Sequence, residues 1–350
     1  VAHRNIRETR ENMAEHWMDG ALYGSHTRNQ GANAYLKLGM PVGRSVYDGD
    51  EQDEKRSNVA FVADYDHFDE NAYFGLNDYD GRENALSVNL MYNHYFTYRS
   101  SLVLGSSAKV NSIRAQLLNE ARSLANKDFN RMEKALTVGG SLTQNFSLVG
   151  HEDATLSFDY FRTQFYNQVV ADQEYSPTEI MVYDTRKRSY TDTFQIDFSW
   201  TPVERLDIFA TFRYTDSSIT LDRPDGGTER VERPLVSEYK TLLNIQYATP
   251  YRRWVFDVTA QRNGPSRLPT QTGNLADAEY SPRYPIFFAQ VSRKIGKVDL
   301  YAGCENIADY RQKTPILNAD RPWSAGFNSS VVWGPLMGRK FYIGMRWNLY

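Results

Sequence analysis

Phe341, Ile343, Met345, Trp347 and Leu349 hold every second position at the end of the chain, with Tyr342, Gly344, Arg346 and Asn348 between them. Successive side chains of a strand point to opposite faces, so this spacing makes a strand with one apolar and one polar face. The same alternation recurs upstream. Leu136, Val138, Gly140 and Leu142 alternate with small polar residues, as do Leu156, Phe158 and Tyr160. So do Phe194, Ile196, Phe198 and Trp200, and the run Leu206, Ile208, Ala210, Phe212 and Tyr214. Trp254, Phe256, Val258 and Ala260, and then Val298, Leu300, Ala302 and Cys304, complete the clear cases. Weaker alternation covers 33–40, 57–66, 84–96, 98–110, 238–248 and 285–294. Helical spacing fits none of the clear runs as well. The apolar faces are more aromatic, and the opposite faces more polar, than a soluble sandwich requires. The pattern suits a sheet with lipid on one side and water on the other.

Composition agrees. Aromatics make up 14% of the 350 residues, with 24 Tyr, and Tyr and Trp suit the boundary between lipid and water. No apolar run reaches the roughly 20 residues of a spanning helix. The formal charge of -3 points to no polyanionic partner, so nucleic acid is not expected. A single cysteine, Cys304, excludes an internal disulfide and any multi-cysteine metal site. The opening VAHRNIRETR carries no signal peptide. Either a signal was removed with other upstream sequence, or the protein is not exported.

Two kinds of connection alternate. Short turns fall near Thr97–Ser100, Val149–Asp153, Pro202–Arg205, Thr249–Arg252 and Ile295–Lys297. Long polar stretches fall near 66–83, 111–133, 164–189, 216–237, 263–284 and 307–337. Short turns at one rim and long loops at the other characterise outer-membrane barrels, whose short turns are periplasmic. The expected fold is all-β, a transmembrane antiparallel up-and-down barrel. Counting back from the last strand puts the 40–57 connection in the periplasm. Residues 1–32 then form an extracellular loop, and 33–350 the barrel strands and loops. Thirteen or fourteen strands result. Because single-chain bacterial barrels have even strand numbers, the chain reads as the C-terminal part of a longer protein or one half of a cleaved one.

The stretch from 300 to the end carries a G-x-E-N-x-x-x-Y pattern at Gly303, Glu305, Asn306 and Tyr310. Gln312, Pro315, Ile316 and Leu317 follow. Trp333, Gly334, Pro335, Gly338, Arg339 and Lys340 then precede the closing strand. The order and spacing resemble the C-terminal segment of TonB-dependent outer-membrane receptors, especially those of Bacteroidetes. The segment 58–75 is similar to mid-barrel sequence of the same family. The resemblance implies a 22-stranded barrel, of which this chain supplies the C-terminal part. The N-terminal plug and TonB box are not recognisable here. It also implies outer-membrane lipid, the missing plug and barrel portion, TonB with its inner-membrane energising complex, and a surface lipoprotein as partners. The activity implied is energised uptake of a ferric siderophore, haem, cobalamin or a similar scarce ligand.

Candidate sites lie in the long stretches. Tyr175, Tyr183, Arg186, Lys187, Arg188, Tyr190, Arg223, Arg230, Arg267, Tyr280 and Trp323 supply rings and cations suited to an anionic, ring-bearing chelate. Met13, His16, Met18 and His26 are soft ligands suited to copper or haem iron. Asp64, Asp66, Asp69, Glu70, Asp78 and Asp80 crowd an expected extracellular turn. Such carboxylates suit calcium, although the order is not an EF-hand loop; no other cofactor is expected. Asp159, Asp197, Asp207, Arg213, Asp257, Asp299, Glu305 and Arg346 are expected on the inward face. Enzyme signatures are absent: there is no phosphate loop, nucleophile elbow or H-E-x-x-H. The rival readings are a passive porin or structural barrel of about fourteen strands that works without TonB, and a soluble β-sandwich binding protein. On the membrane reading, Ile343→Arg is expected to impair assembly more than Gly344→Ser on the opposite face.

Overall fold

A computed structural model describes residues 25–48, 50–74, 77–117, 123–126, 132–148, 151–172, 174–175, 179–185, 187–223, 225–269, 279–313, 316–317, 328–332 and 334–347. In chain order the strands are β1 (Ser25–Asp48), β2 (Asp50–Phe74), β3 (Asn77–Thr97), β4 (Ser100–Leu117), β5 (Ser123–Asn126), β6 (Glu133–Leu148) and β7 (His151–Asp172). Then come β8 (Glu179–Thr185), β9 (Ser189–Val203), β10 (Leu206–Asp222), β11 (Thr228–Glu232), β12 (Tyr239–Ala248) and β13 (Trp254–Asn263). The chain closes with β14 (Tyr284–Ile295), β15 (Val298–Glu305), β16 (Ile316–Leu317), β17 (Asn328–Val332) and β18 (Lys340–Trp347).

Thirteen of these form one antiparallel path in sequence order, β1-β2-β3-β4-β6-β7-β9-β10-β12-β13-β14-β15-β18. Neighbours in sequence are neighbours in space, the up-and-down topology expected from the alternation. The small strands β5, β8 and β11 attach at the long-loop end.

The register carries one face unbroken through the sheet. Leu102 lies opposite Leu142, Leu142 opposite Phe158, Phe158 opposite Ile196, and Ile196 opposite Phe212. A second row runs Trp200, Ile208, Ile245, Val258, Ala289, Cys304 and Phe341. Within that row Trp200 lies near a short turn, whereas Cys304 sits beside the end of β15 at the long-loop rim. The strands are therefore staggered relative to one another, as closure into a tilted barrel requires. Cys304 takes its place in the row as a small apolar group. On this face Trp200, Tyr247, Trp254 and Trp347 stand close to the short-turn ends of their strands, Tyr190 stands at the long-loop end of β9, and Tyr160 and Tyr214 stand about mid-strand. Aromatic girdles at the two edges of an apolar band are the signature of strands that cross a bilayer. The apolar residues of this face are left exposed by the protein itself, Ile343 at 86% and Val138 at 52%.

The opposite face is mostly hydrophilic. Ser141, Asp159, Gln195, Arg213, Lys240 and Asn263 form one of its rows. Asp197, Asp207, Asp257, Asp299, Glu305 and Arg346 share it, as the alternation predicts. Its polar groups pair along and across strands: Gln195 Nε2 donates to Asp197 Oδ2 at 2.7 Å, Arg213 Nε to Gln195 Oε1 at 2.6 Å, and Asn244 Nδ2 to Asp257 Oδ2 at 3.0 Å. Phe161, Phe209, Leu242 and Phe288 are scattered among them, so the face is mixed rather than purely wet.

Several sequence-based boundaries need correction, and the stretches 111–133, 164–189 and 216–237 also begin in strand, with β4 reaching Leu117, β7 Asp172 and β10 Asp222. Residues 66–83 are not a loop: β2 and β3 stay paired from Asn58↔Asn93 to Phe74↔Asn77. Residues 40–57 are not an extended connection, because β1 and β2 pair as far as Tyr47↔Glu54 and meet at Asp48↔Asp50. Within 1–32, β1 already begins at Ser25. The physical reason is common to them. At roughly 3.3 Å per residue, β2 runs about 80 Å, against an apolar band of roughly 25 Å. Beyond that band both faces meet water, so the period-two signal disappears although the hydrogen-bonded ladder continues.

Candidate functional site

At the long-loop end, chain segments fold over the sheet and build a second, smaller core. Beyond Phe165↔Ser189, β7 leaves β9 and pairs with β8 from Gln168↔Thr185 to Asp172↔Met181. β11 folds back on β10, from Ser218↔Glu232 to Asp222↔Thr228. Val170, Met181, Tyr183, Ile219 and Leu221 bury one another there, with Tyr175 and Val231 packed against them.

A polar network ties this core to neighbouring loops. The Tyr183 hydroxyl donates to Asp172 Oδ2 at 2.9 Å and accepts from the Asp222 backbone N–H at 2.8 Å. The other Asp172 oxygen caps the Glu174 N–H at 2.8 Å. Glu174 in turn holds Arg267 through a two-pronged contact, Oε1 to Nη1 at 2.7 Å and Oε2 to Nη2 at 2.9 Å. Arg267 Nη1 also donates to the Glu232 carbonyl at 3.2 Å. Arg223 lies 3.9 Å from Glu174 and 2.7 Å from Glu229. Glu174 and Arg267 are almost fully buried, with side chains 2% and 8% exposed. A buried fork of this kind fixes geometry, because each charge depends on the other for solvation. Burial pushes the Asp172 carboxyl up from its usual range, and the Tyr183 hydroxyl far above its own.

Tyr183, Arg223 and Arg267, which the long polar stretches offered as ligand contacts, here hold loop segments together. Tyr175 packs on the same core. Tyr190 lies on the apolar-face side, its ring between Arg162 at 4.8 Å and Arg230 at 5.3 Å, its hydroxyl 3.1 Å from Asp216. Arg188 covers Tyr166 at 5.6 Å. Lys187 is exposed, and Tyr280 is bridged to Arg267 through the backbone. Arg186 and Trp323 lie outside the described residues.

The metal candidates do not converge. Asp64 and Asp66 lie on the polar face of β2, each accepting from Asn33 Nδ2, at 2.9 and 2.6 Å. Asp69 points to the other face and pairs with Arg82 at 2.6 Å and His67 at 3.0 Å. They belong to a strand, not to the turn expected from their crowding. Glu70 and Asp80 likewise sit within the β2–β3 ladder, opposite Gly81 and Asn71, and Asp78 lies opposite Tyr73. His26 is in β1 opposite Tyr73; Met13, His16 and Met18 lie outside the described residues. Among the described residues no three His, Cys, Asp or Glu side chains are grouped to hold a metal ion.

The C-terminal motif proves to be architecture. Gly303 and Gly344 lie on the polar face, and each sits under a ring from the neighbouring strand, Tyr342 and Tyr301 respectively. A Cβ on Gly303 would come 2.3 Å from the Tyr342 ring, and one on Gly344 2.2 Å from that of Tyr301. Glu305 pairs with Lys340 at 3.5 Å. Asn306 takes a left-handed backbone, φ 52°, and is buried. Its side chain accepts from the Tyr310 N–H at 3.0 Å and donates to the Tyr310 carbonyl at 2.7 Å, closing a tight loop. Tyr310 stacks on Tyr284 at 5.3 Å and donates to Gln312 at 3.0 Å. Gln312 lies beneath Gly334, which has φ 72°, and its N–H donates to the Pro335 carbonyl at 2.9 Å. Asp309 accepts the Arg339 N–H at 2.7 Å, beside Gly338. Pro315 and Trp333 lie outside the described residues.

Two cavities matter. One of about 640 Å³ lies on the apolar face between Phe198, Phe212, Leu243 and Phe287, over the small Ala210 and Ala260. The other, about 250 Å³, lies in the long-loop assembly between Val170, Ile219, Leu221 and Arg233. Sequence reading missed Arg233. Nothing in its neighbourhood, VERPL, marks it, since its environment is made by residues of β7 and β10.

Comparison of the whole fold finds large β-barrel receptors. The siderophore receptor PiuA from Acinetobacter baumannii matches with a TM-score of 0.54 and 15% identity, over 92% of this chain and 56% of that one. The ferric-catecholate import receptor Fiu from E. coli K12 matches with a TM-score of 0.54 and 12% identity, over 92% and 55%. FpvA of Pseudomonas aeruginosa, bound to a heterologous pyoverdine–iron complex, matches with a TM-score of 0.51 and 13% identity, over 93% and 48%. The chain has the antiparallel up-and-down barrel fold of these receptors and spans about half their length. No family model and no curated protein sequence matches it.

Proposed function

We propose that this chain is the C-terminal part of the barrel of a TonB-dependent outer-membrane receptor that takes up a scarce ligand, with ferric siderophores as the leading class. The observation that carries this reading is the continuous register of two faces. Across thirteen strands an apolar, aromatic-edged face opposes a mostly hydrophilic one, and among the described residues a packed loop assembly sits at the long-loop end. That is the shape of a bilayer-spanning wall with a wet or filled interior. The similarity to siderophore receptors and the C-terminal motif support it; the motif alone supports the Bacteroidetes type. The remaining strands, a plug and its TonB contact come from the rest of the receptor, and a surface lipoprotein is a further candidate partner. The protein's part is binding and gating, without covalent chemistry.

The test is uptake of an iron-55-labelled siderophore by cells carrying the full receptor. Energised uptake that vanishes on deletion of TonB or collapse of the proton-motive force supports the proposal. Uptake indifferent to both, together with open-channel conductance in planar bilayers, supports a passive porin instead.

A further inference from the structure

The short-turn rim carries an unbalanced charge beside its aromatic girdle. The β12–β13 turn contributes Arg252 and Arg253, and the β14–β15 hairpin contributes Arg293 and Lys297; all four are exposed. The two turns touch, because the Lys294 N–H donates to the Arg253 carbonyl at 2.9 Å. Among the described residues none of the four cations has a carboxylate partner. The nearby acids are placed elsewhere. Asp299 lies opposite Lys294 on the polar face, and Glu204 of the neighbouring turn pairs with Arg205 at 3.4 Å.

Two rings hold two of these cations at the edge of the apolar band. Arg293 lies opposite Trp254 in the ladder, its guanidinium 4.9 Å from the indole, and Trp254 stacks on Phe256 at 6.3 Å. The Arg253 guanidinium lies 5.8 Å from the ring of Tyr251, which is 87% exposed. Tyr251 and Arg252 are consecutive non-glycine residues in left-handed backbone, at φ 60° and 51°. Such backbone is unfavourable for both, and strain of this kind gathers where a fold has a use for it. Unpaired cations side by side repel one another, and an anion among them removes that cost. Indole and phenol rings suit the headgroup level of a bilayer, and a guanidinium forks onto phosphate oxygens.

We propose that these two turns form a seat for the phosphate of an anionic phospholipid in the leaflet on the short-turn side, with its acyl chains against Phe256 and Val258. The seat rests on the bilayer-spanning wall and not on the transport reading. Its test is native mass spectrometry of the full receptor released from nanodiscs of equal phosphatidylglycerol and phosphatidylcholine. Each cation near an anionic lipid is worth roughly fivefold, so two engaged cations give the retained lipid a preference of more than tenfold for phosphatidylglycerol. Arg293→Gln lowers that preference about fivefold, and Arg252→Gln/Arg253→Gln/Arg293→Gln/Lys297→Gln brings it near parity. Arg99→Gln, in the β3–β4 turn of the same rim, leaves it unchanged. Equal retention of the two lipids by the wild-type protein overturns the proposal, as does an Arg99→Gln loss equal to that of Arg293→Gln. Displacement of the lipid by inorganic phosphate, or by soluble peptidoglycan fragments, overturns it too. Uptake that proves independent of TonB would instead remove the transport reading and leave the seat standing.

Discussion

Arg267→Met tests whether the loop assembly is held by its buried ion pair. The substitution leaves the Glu174 carboxylate, 2% exposed, with Arg223 as its nearest cation at 3.9 Å. Removing one partner of a buried pair typically costs about 3–5 kcal/mol, because the survivor stays desolvated. That cost falls on the contacts among the long-loop end of β7, β8, β11 and residues 263–269, not on the ladders of β13 and β14 with each other. Local opening is therefore expected to become about 10²–10⁴ times more frequent. Hydrogen exchange at Val170, Val182 and Tyr183 amides should speed up by that factor, while amides in β13 and β14 stay protected. The double variant Glu174→Leu/Arg267→Met should recover most of the loss, since replacing both charges with apolar groups is often neutral. A double variant as loose as the single one would refute the reasoning, and so would unchanged exchange in Arg267→Met.

Ile343→Arg places a cation on the apolar face and should reduce folded protein in membranes, at about 2–4 kcal/mol if it lies near the bilayer midplane. Gly344→Ser places its Cβ against the far end of the Tyr301 side chain, which must swing aside, so it should cost less than Ile343→Arg, and Gly344→Ser/Tyr301→Ala should match Tyr301→Ala, as read by heat-modifiable migration. The Arg339 N–H, then the Arg311 and Arg339 charges, hold the Asp309 carboxyl below the usual carboxylate range. This tie is thus fully present above that range and lost as pH falls through the depressed value, so the Arg339 amide's protection relative to its intrinsic exchange rate should fall in acid, and less steeply in Asp309→Asn.

How much was legible follows from where water and lipid lie. Within the apolar band one face of each strand must be greasy, so the alternation at 194–200, 206–214 and 254–261 reads directly as strand. Outside the band that demand vanishes. The β2–β3 hairpin from Asp64 to Phe74 looks like an acidic loop although every residue is paired. The C-terminal motif was legible as a pattern, but its reason, Asn306 closing a loop around Tyr310 and glycines lying under tyrosines, needs cross-strand geometry. The arginines show the limit most clearly. Arg267 and Arg233 are alike in sequence, and only the fold separates the one matched by Glu174 from the one whose Nε and Nη2 meet no acceptor among the described residues.

The central claim is that alternate side chains of these strands touch hydrocarbon. Spin labels placed one at a time from Thr155 to Tyr160, in a Cys304→Ser background, test it through relaxation by oxygen, which concentrates in the bilayer interior. Strong oxygen relaxation at 156, 158 and 160, and weak relaxation at 155, 157 and 159, is the expected result. Uniform relaxation along the strand, or maxima at the odd positions, would contradict it.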